Sequence, residues 1–245
     1  FTKEIEQVSV DECYMDFTSI ADRWNSPVDG ALEIKDGIKG RFGFTVNIGI
    51  STNKLLAKMA SDFQKPDRIH TLFPEEIKAK MWPLPIGELY MAGRSSVETL
   101  KKLEINTIGD LAQADPELIV LHLKSHGKML WEFANGRGRD VVQAEPEEAK
   151  GIGNSTTLRA DAETEEEVYS VFEGLAQSVG RRLKKAGKKA GMVSVEIKYH
   201  DFRTVSHQMQ IEKPSNDPKV LRETAYNLFL EVWSGEPVRL LGIRT

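Results

Sequence analysis

The sequence has 245 residues and a formal net charge of −4, with 40% hydrophobic and 29% charged residues. This composition is ordinary for a globular protein, and no run approaches the roughly 18 apolar residues of a membrane span. No signal-peptide pattern opens the chain, no internal disulfide can form from the single Cys13, and the histidines show no zinc-ligand spacing. We therefore expect a cytoplasmic protein without membrane contact.

The chain opens with a predicted β-hairpin. Residues 1–6 already follow a strand pattern, so we expect further residues to precede them in the parent protein. Val8 and Val10 alternate before an acidic turn, and residues 13–17 alternate after it, which is the period of two typical of strands. Cys13 is expected in the core rather than as a nucleophile.

Two adjacent acids, Asp11 and Glu12, lie where this pattern reverses. Carboxylates flanked by apolar strands repel each other and lose hydration, and a divalent cation offsets that cost. Mg2+ takes oxygen ligands and often uses one or two carboxylates together with substrate phosphates. The alternative is a solvated turn, where Asp is common, and the pair taken alone is typical of that too. Asp16 is interpreted as a structural hydrogen-bonding partner of the turn.

Helices and strands alternate in the next stretch. Ser26-Pro27 is typical of a helix start, and Gly43 of its end. Residues 44–50 alternate as a strand, and residues 69–73 form another short one. The resulting β, α, β, α, β order predicts a layered domain that ends near Phe73.

The helix between those two strands is predicted to begin after the cap Ser51-Thr52-Asn53. Lys54 and Lys58 lie one turn apart on it, and a solvated face is the alternative to a functional role for them. Its expected buried face consists of Leu55, Leu56, Met59 and Ala60.

Residues 74–138 are predicted to be helical and free of strands. Residues 86–100 indicate a helix, a tight turn at Ala92-Gly93-Arg94 and a second helix. Thr107 is a predicted cap, and residues 125–128 are predicted to open another helix. Residues 139–151 contain a proline and show no periodicity, which indicates a linker.

A second α/β unit is predicted over residues 152–245. Its β, α, β, β, α, β order resembles the split βαβ arrangement. The predicted strands cover residues 156–159, 192–199, 205–211 and 238–243, and the predicted helices are 165–186 and one opened by Pro218.

Charge is strongly segregated near this unit. Residues 181–203 contain eight basic residues against two acids, whereas residues 145–167 contain eight acids against two bases. Such segregation predicts a positive face on one part of the molecule.

Three segments together resemble the Y-family of translesion DNA polymerases, in its DinB or polymerase IV branch. Residues 9–16, Ser-Val-Asp-Glu-Cys-Tyr-Met-Asp, look like the family's catalytic palm turn. Residues 49–66, Gly-Ile-Ser-Thr-Asn-Lys-Leu-Leu-Ala-Lys-Met-Ala-Ser-Asp-Phe-Gln-Lys-Pro, match the family pattern nearly residue for residue. Residues 86–112 resemble the thumb's helix-hairpin-helix, and the basic region with Tyr199 to Val205 looks like the little finger.

The resemblance implies an α+β fold with a partial palm at 1–73, a thumb at 74–138, a linker at 139–151 and a little finger at 152–245. It further implies that a palm strand and a fingers domain precede this sequence in the intact protein. The 245-residue chain alone is then expected to have little or no polymerase activity.

The implied chemistry is Mg2+-dependent transfer of a nucleotide to a primer 3′-hydroxyl on damaged templates. Two ions about 4 Å apart stabilise the attacking and leaving oxygens in such reactions. By the resemblance, Asp11 and Glu12 are catalytic residues and metal ligands, and Lys65 contacts the triphosphate. The alternative for Lys65 is a solvated cation at a helix end.

The resemblance also implies contacts with primer-template DNA. Gly93 precedes a helix whose N–H groups would face a phosphate, although the usual Gly-x-Gly here is Met91-Ala92-Gly93. Gly127 and Lys128 are a second candidate of this kind, with an ordinary helix start as the alternative. The residues of the little finger that are predicted to contact the DNA backbone are Lys188, Lys198 and Arg203.

A deoxynucleoside triphosphate is the other expected partner, and a sliding clamp is a further candidate. The competing hypothesis is a non-catalytic DNA-binding module that keeps the fold. A nucleotide cyclase-like palm would explain neither the thumb nor the basic region.

Overall fold

The computed structural model describes residues 1–145 and 148–245. The chain divides between residues 146 and 147 into two compact units, here called the N-terminal and C-terminal units. Two residues of the predicted 139–151 linker, 146 and 147, lie outside the described residues. The chain is of the α+β class, with helices and strands in both units.

The predicted hairpin is present but shorter than expected. Strand β1 (Ile5–Gln7) pairs antiparallel with β2 (Cys13–Met15), with Gln7 opposite Cys13. The prediction that Val8 and Val10 continue the first strand is wrong, because the amides of Val8 and Ser9 both donate to the Glu12 carbonyl and reverse the chain there. Val10 is 98% exposed. Cys13 is also exposed rather than part of the core.

Helix α1 (Pro27–Phe42) begins and ends where the sequence predicts. The Ser26 side chain accepts from the Asp29 amide, and Gly43 ends the helix with a left-handed φ of 74°. The strand predicted from residue 44 is reduced to β3 (Ile48–Ile50), which pairs in parallel with β4 (Ile69–Thr71). Since β4 is three residues long, the residues before Ile48 have no ladder partner, and Phe44 is exposed.

Helix α2 (Lys54–Asp62) packs directly on β3. Asn53 caps it by accepting from the Leu56 amide, and the predicted residues Leu55, Leu56, Met59 and Ala60 are all buried. An added Cβ on Gly49 of β3 would lie 1.8 Å from the Ala57 carbonyl oxygen. The backbone of the strand therefore approaches the helix as closely as glycine permits.

Helical segments fill the rest of the N-terminal unit. Short 3-10 turns at Pro74–Glu76 and Ile86–Glu88 and a π turn at Ile77–Met81 precede α3 (Arg94–Lys102), α4 (Ile108–Gln113) and α5 (Pro116–Ala134). The helix predicted from residue 86 is therefore only one 3-10 turn. Thr107 caps α4 as predicted. Helix α5 breaks at Lys124, where φ is 55°, just before the predicted helix start at Ser125.

One hydrophobic core runs through the N-terminal unit. Leu56 of α2 and Leu72 share it with Met81, Leu100 and Leu130 from the helical segments. The helix that begins at Lys54 is thus held by residues on both sides of the predicted domain boundary at residue 73. That boundary stays a prediction.

The C-terminal unit has the predicted β, α, β, β, α, β order. It contains β5 (Gly153–Ala162), α6 (Glu165–Lys185), β6 (Ala190–Tyr199), β7 (Thr204–Ser215), α7 (Pro218–Val232) and β8 (Val238–Arg244). The sheet order is β5-β8-β6-β7 with antiparallel neighbours. Strands β5 and β6 are therefore parallel and separated by β8, which confirms the split βαβ arrangement. Strand β5 is longer than the predicted 156–159.

Alternate residues of the central strand β6 are buried in the core of this unit. Val193, Val195, Ile197 and Tyr199 pack with Phe172 of α6 and Phe229 of α7, among others. The residues between them, including Glu196 and Lys198, belong to the opposite face. No described helix is long and apolar enough to cross a bilayer.

Candidate active site

Asp11 and Glu12 lie at the exposed tip of the hairpin. Asp11 Oδ1 accepts a 2.7 Å hydrogen bond from Ser9 Oγ, and the Asp11 amide donates to the same hydroxyl. Glu12 Oε1 lies 2.6 Å from Lys58 Nζ. The two carboxylates are thus held by different partners, and both keep oxygens open to solvent.

Helix α2 supplies the cations that face the hairpin. Lys54, Lys58 and Asp62 recur every four residues, so they lie along one side of the helix. Lys54 Nζ lies 2.7 Å from Glu6 of β1, and the Lys54 and Lys58 side chains are only 14% and 17% exposed. The solvated-face alternative for these lysines is therefore wrong, because the hairpin covers them.

Three ion pairs connect Glu12 to Lys65. Lys58 Nζ lies 2.6 Å from Glu12 Oε1 and 3.4 Å from Asp62 Oδ2. Asp62 Oδ1 in turn lies 2.7 Å from Lys65 Nζ. We call Glu12, Lys58, Asp62 and Lys65 the ion-pair chain. It brings the acidic turn and the candidate triphosphate contact onto one surface.

The charges of the ion-pair chain stabilise one another. Burial alone would lower the pKa of the Lys58 ammonium, but the Glu12 and Asp62 carboxylates raise the pKa overall. Burial likewise acts to raise the pKa of Asp62, and the two lysines outweigh it and lower that pKa. Both groups are therefore charged at neutral pH.

Asp16 has its own partner away from the acidic turn. Its carboxylate accepts a 2.7 Å hydrogen bond from the Thr18 amide, at the start of the 3-10 helix Thr18–Arg23. Hydrogen bonds with the Thr18 side chain and with the Thr18 amide lower the Asp16 pKa. Asp16 therefore has a structural role, as predicted. Its hydrogen bonds, however, fix the segment after β2 rather than the acidic turn.

The donor set at the hairpin tip fits a hard divalent cation. Asp11 and Glu12 are neighbours in the sequence and each offers carboxylate oxygens, and Mg2+ accepts one or two carboxylates with phosphates and water completing its shell. Within the described residues there is no group of three or more His, Cys, Asp or Glu that could hold a metal ion. The two acids would therefore form part of a site that other oxygens complete.

A second ion pair ties β1 to α2. Glu6 accepts from Lys54 and from the Gln143 amide at 2.8 Å. Burial acts to raise the Glu6 pKa, but these two partners lower it below its ordinary value of 4.5. Charged Glu6 therefore holds the hairpin against the helix that carries Lys58.

This pairing predicts a pH-dependent stability difference between wild type and Glu6→Gln. A lowered pKa stabilises the folded chain at pH values above 4.5, and that stabilisation is lost as pH falls through the folded pKa. We expect Glu6→Gln to lower the free energy of unfolding by about 1 kcal/mol at pH 7. The difference should shrink towards zero in urea denaturation at acidic pH. A difference that persists unchanged below the folded pKa would contradict the assignment.

The turn before α3 keeps a left-handed residue despite the lost glycine. Met91 has a φ of 69° and is 53% exposed, and the neighbouring Tyr90 amide lies 3.3 Å from Met59 Sδ of α2. Gly93 has an ordinary φ of −70° and occupies the N-cap position of α3, where no side chain accepts a hydrogen bond from the helix amides. The first-turn amides of α3 thus remain available for an anion.

Met91→Gly is expected to stabilise the chain. A side chain at positive φ costs about 1 kcal/mol, which glycine avoids, and little apolar burial is lost at this exposed position. The free energy of unfolding should therefore rise by up to about 1 kcal/mol in urea denaturation. Gly93→Ala is the control: its φ is not positive, an added Cβ there meets nothing within 4 Å, and alanine is a poorer N-cap than glycine, so this substitution should not stabilise the chain. If Met91→Gly instead lowers the free energy of unfolding, the positive φ of Met91 does not strain the chain.

Gly127 has a packing role. It is buried in α5, and an added Cβ would lie 2.7 Å from the Ile119 carbonyl oxygen and from Leu123 Cβ. Lys128 is exposed. Of the candidate phosphate contacts Gly127 and Lys128, only Lys128 is therefore open to solvent in the N-terminal unit.

The candidate cations of the C-terminal unit differ in their surroundings. Lys188 pairs with Glu148 at 2.7 Å, and Lys198 is half-buried on β6. Arg203 lies in the β6–β7 turn, where it stacks over Tyr199 and pairs with Glu236. Lys188 and Arg203 would therefore have to leave carboxylates to bind DNA phosphates.

Sequence reasoning missed Asp62 and Glu6 as parts of this site. The available signal was the spacing of Lys54, Lys58 and Asp62 on one side of α2, combined with acids on the preceding hairpin. Complementary charges on two neighbouring elements predict pairing once their contact is known, and that contact depends on the tertiary fold.

Comparisons with known proteins identify the family of the chain. The impB/mucB/samB family model matches residues 1–62, and the impB/mucB/samB family C-terminal domain matches residues 149–245. Together the two matches cover more than half of the chain. The chain therefore belongs to the impB/mucB/samB family.

Individual relatives indicate the branch. The chain is 45% identical over 244 residues to DNA polymerase IV of Clostridium acetobutylicum, covering 100% of this chain and 61% of that protein. It is 38% identical over 244 residues to DNA polymerase IV 1 of Bacillus subtilis, covering 99% of this chain and 59% of that protein. These relatives place it in the DinB-like branch of the Y-family. The chain spans about three fifths of their length.

A solved structure shares the fold. A Y-family DNA polymerase chimera of Dbh and Dpo4 superimposes with a TM-score of 0.81 at 23% identity, covering 98% of this chain and 70% of that one.

Proposed function

We propose that this chain is part of a DNA-directed DNA polymerase that carries out translesion synthesis. The observation that carries the proposal is the ion-pair chain, because it joins an acidic turn suited to a metal ion with a lysine suited to phosphates. The DNA polymerase IV names of the relatives support the same reaction class. Damaged templates are the substrate that the Y-family resemblance implies.

In the proposed reaction the primer 3′-oxygen bonds to the α-phosphorus of a deoxynucleoside triphosphate. The bond from that phosphorus to the β-phosphate oxygen breaks, pyrophosphate leaves, and the hydroxyl proton passes to solvent. When bound, Mg2+ supplies the positive charge that stabilises the attacking and leaving oxygens. Asp11 and Glu12 hold that charge at the hairpin tip, and the exposed Lys65 ammonium contacts the triphosphate.

Other surfaces of the chain suit the DNA backbone. The uncapped amides at the start of α3, after Gly93, and the exposed Lys128 present positive groups in the N-terminal unit. In the C-terminal unit, Lys188, Lys198 and Arg203 supply charge without base-specific contacts. We accordingly assign residues 1–73 to a palm, 74–138 to a thumb and 152–245 to a little finger.

Two further assignments complete the proposal. A sliding clamp is a candidate partner of the intact protein, and the cytoplasm is its expected compartment. With only Asp11 and Glu12 at the hairpin tip, the chain alone is expected to extend primers poorly, because other oxygens must complete the site.

Primer extension tests the proposal. The intact protein should extend a primer on both undamaged and abasic templates when Mg2+ is present, and the 245-residue chain should extend it very little. Robust extension by the isolated chain would contradict the expected incompleteness. DNA binding without any extension by the intact protein would favour a non-catalytic DNA-binding module.

A further inference from the structure

Lys58 has two acidic partners, only one of which is a candidate metal ligand. Its ammonium lies 2.6 Å from Glu12 Oε1 and 3.4 Å from Asp62 Oδ2. Its side chain is 17% exposed, whereas Glu12 and Asp62 are 47% and 40% exposed. The lysine is therefore the enclosed centre of the ion-pair chain, and the carboxylates on either side of it are more open to solvent.

A divalent cation at Glu12 would compete with Lys58 for the same carboxylate. Two positive groups within a few ångströms repel each other strongly where solvent screening is reduced. Asp62 offers Lys58 a second carboxylate at the same end of the helix, so the ammonium can change partner with a small movement of its flexible stem.

A stronger pair between Lys58 and Asp62 weakens the next pair along. Asp62 also holds Lys65, at 2.7 Å, and one carboxylate divided between two ammonium groups binds each less tightly than it would bind one. Lys65 is 54% exposed, so its release from Asp62 places a free ammonium beside the metal site.

We propose that Lys58 is a positioning residue that occupies Glu12 until a divalent cation binds, then moves to Asp62 and releases Lys65 for the triphosphate. The inference rests on the proposed function of Asp11, Glu12 and Lys65. It makes cation binding and triphosphate binding favour each other, and such coupling acts in both directions.

Binding of Mn2+ to the intact protein, in which the other ligands are expected, tests the first half when followed by electron paramagnetic resonance. Lys58→Met removes the competitor and should tighten Mn2+ binding about tenfold, the equivalent of about one favourable charged contact. Asp62→Asn removes the alternative partner and should weaken it. Lys54→Met is the matched control, since Lys54 lies one turn earlier, is equally enclosed, and pairs with Glu6 instead.

A double-mutant cycle separates partner exchange from a general field effect. If Lys58 moves between the two acids, Asp62→Asn should have no effect on Mn2+ affinity in the Lys58→Met background. If the charges act only through their field, the two substitutions will add, and Lys54→Met will resemble Lys58→Met. Additive effects would overturn the partner exchange while leaving the metal assignment intact.

Acetylation of Lys65, followed by mass spectrometry, tests the second half. Its rate should rise when Mg2+ is added to the wild type, and should not respond to Mg2+ in Lys58→Met. An unchanged Lys65 rate in the wild type would overturn its release. If Mn2+ does not bind, or if it still binds to the double variant Asp11→Asn with Glu12→Gln, the proposed metal ligands are wrong. The proposed movement of Lys58 from Glu12 to Asp62 would then be wrong too.

Discussion

Primer extension by the intact protein is expected to fall on the order of a thousandfold or more when Asp11 and Glu12 are both replaced by alanine. The physical reason is that the proposed reaction concentrates negative charge on phosphate oxygens, and these two carboxylates would hold the compensating cation at the hairpin tip. Steady-state kinetics with Mg2+ and an undamaged template measure the loss. Because the turn is exposed, the double variant should keep its fold and its affinity for primer-template DNA.

Asp16→Asn provides the control in the same hairpin region. It removes a negative charge but keeps an oxygen that can accept from the Thr18 amide, so extension should remain within severalfold of wild type. If the Asp11 and Glu12 double variant extends primers as well as Asp16→Asn does, the acids form an ordinary solvated turn. The proposed active site would then be wrong.

Elements whose ends are encoded by neighbouring residues could be predicted from the sequence. Ser26 and Gly43 bound α1, and Asn53 begins α2, because caps depend on hydrogen bonds to amides and carbonyls within a few residues. The apolar positions of α2 are also buried as predicted, because their helical spacing places them on one face of the helix. The split βαβ order of the C-terminal unit follows from the alternation of its helices and strands.

Strand lengths could not be predicted, because they depend on partners far away in the sequence. Strand β3 stops at three residues since β4 offers only three to pair with, although residues 44–47 continue the alternating pattern. Val10 fits the alternating apolar pattern of the sequence, yet the backbone reverses before it. An alternating pattern thus indicates that a strand is possible, while the ladder decides where it ends.

The candidate site shows the same division. Asp11, Glu12 and Lys65 are proposed as site residues from the family resemblance, and the structure joins Glu12 to Lys65 through ion pairs with Lys58 and Asp62. The enclosure of Lys54 and Lys58 was not foreseen, because it arises when the hairpin packs over α2. Likewise, the sequence shows that Met91 replaces the usual first glycine of the thumb turn, but not that Met91 adopts the left-handed conformation.

Gly49→Ala is expected to destabilise the N-terminal unit by about 3 kcal/mol or more. The added Cβ would lie 1.8 Å from the Ala57 carbonyl oxygen and 2.5 Å from the Ser61 amide nitrogen. These atoms are backbone atoms of α2, so relief requires the helix to move rather than a side chain to rotate. Because α2 carries Lys54 and Lys58, its displacement should also disturb both ion pairs to the hairpin.

Amide hydrogen exchange localises this effect, since the chain has two compact units. Protection should fall in the N-terminal unit and remain in β6 and β8 of the C-terminal unit. Gly37→Ala is the matched control: it lies in α1, its added Cβ meets nothing within 4 Å, and alanine should stabilise the helix by up to about 1 kcal/mol. The same substitution thus changes stability in opposite directions at the two positions, and a tolerated Gly49→Ala would show that β3 does not need to approach α2 so closely.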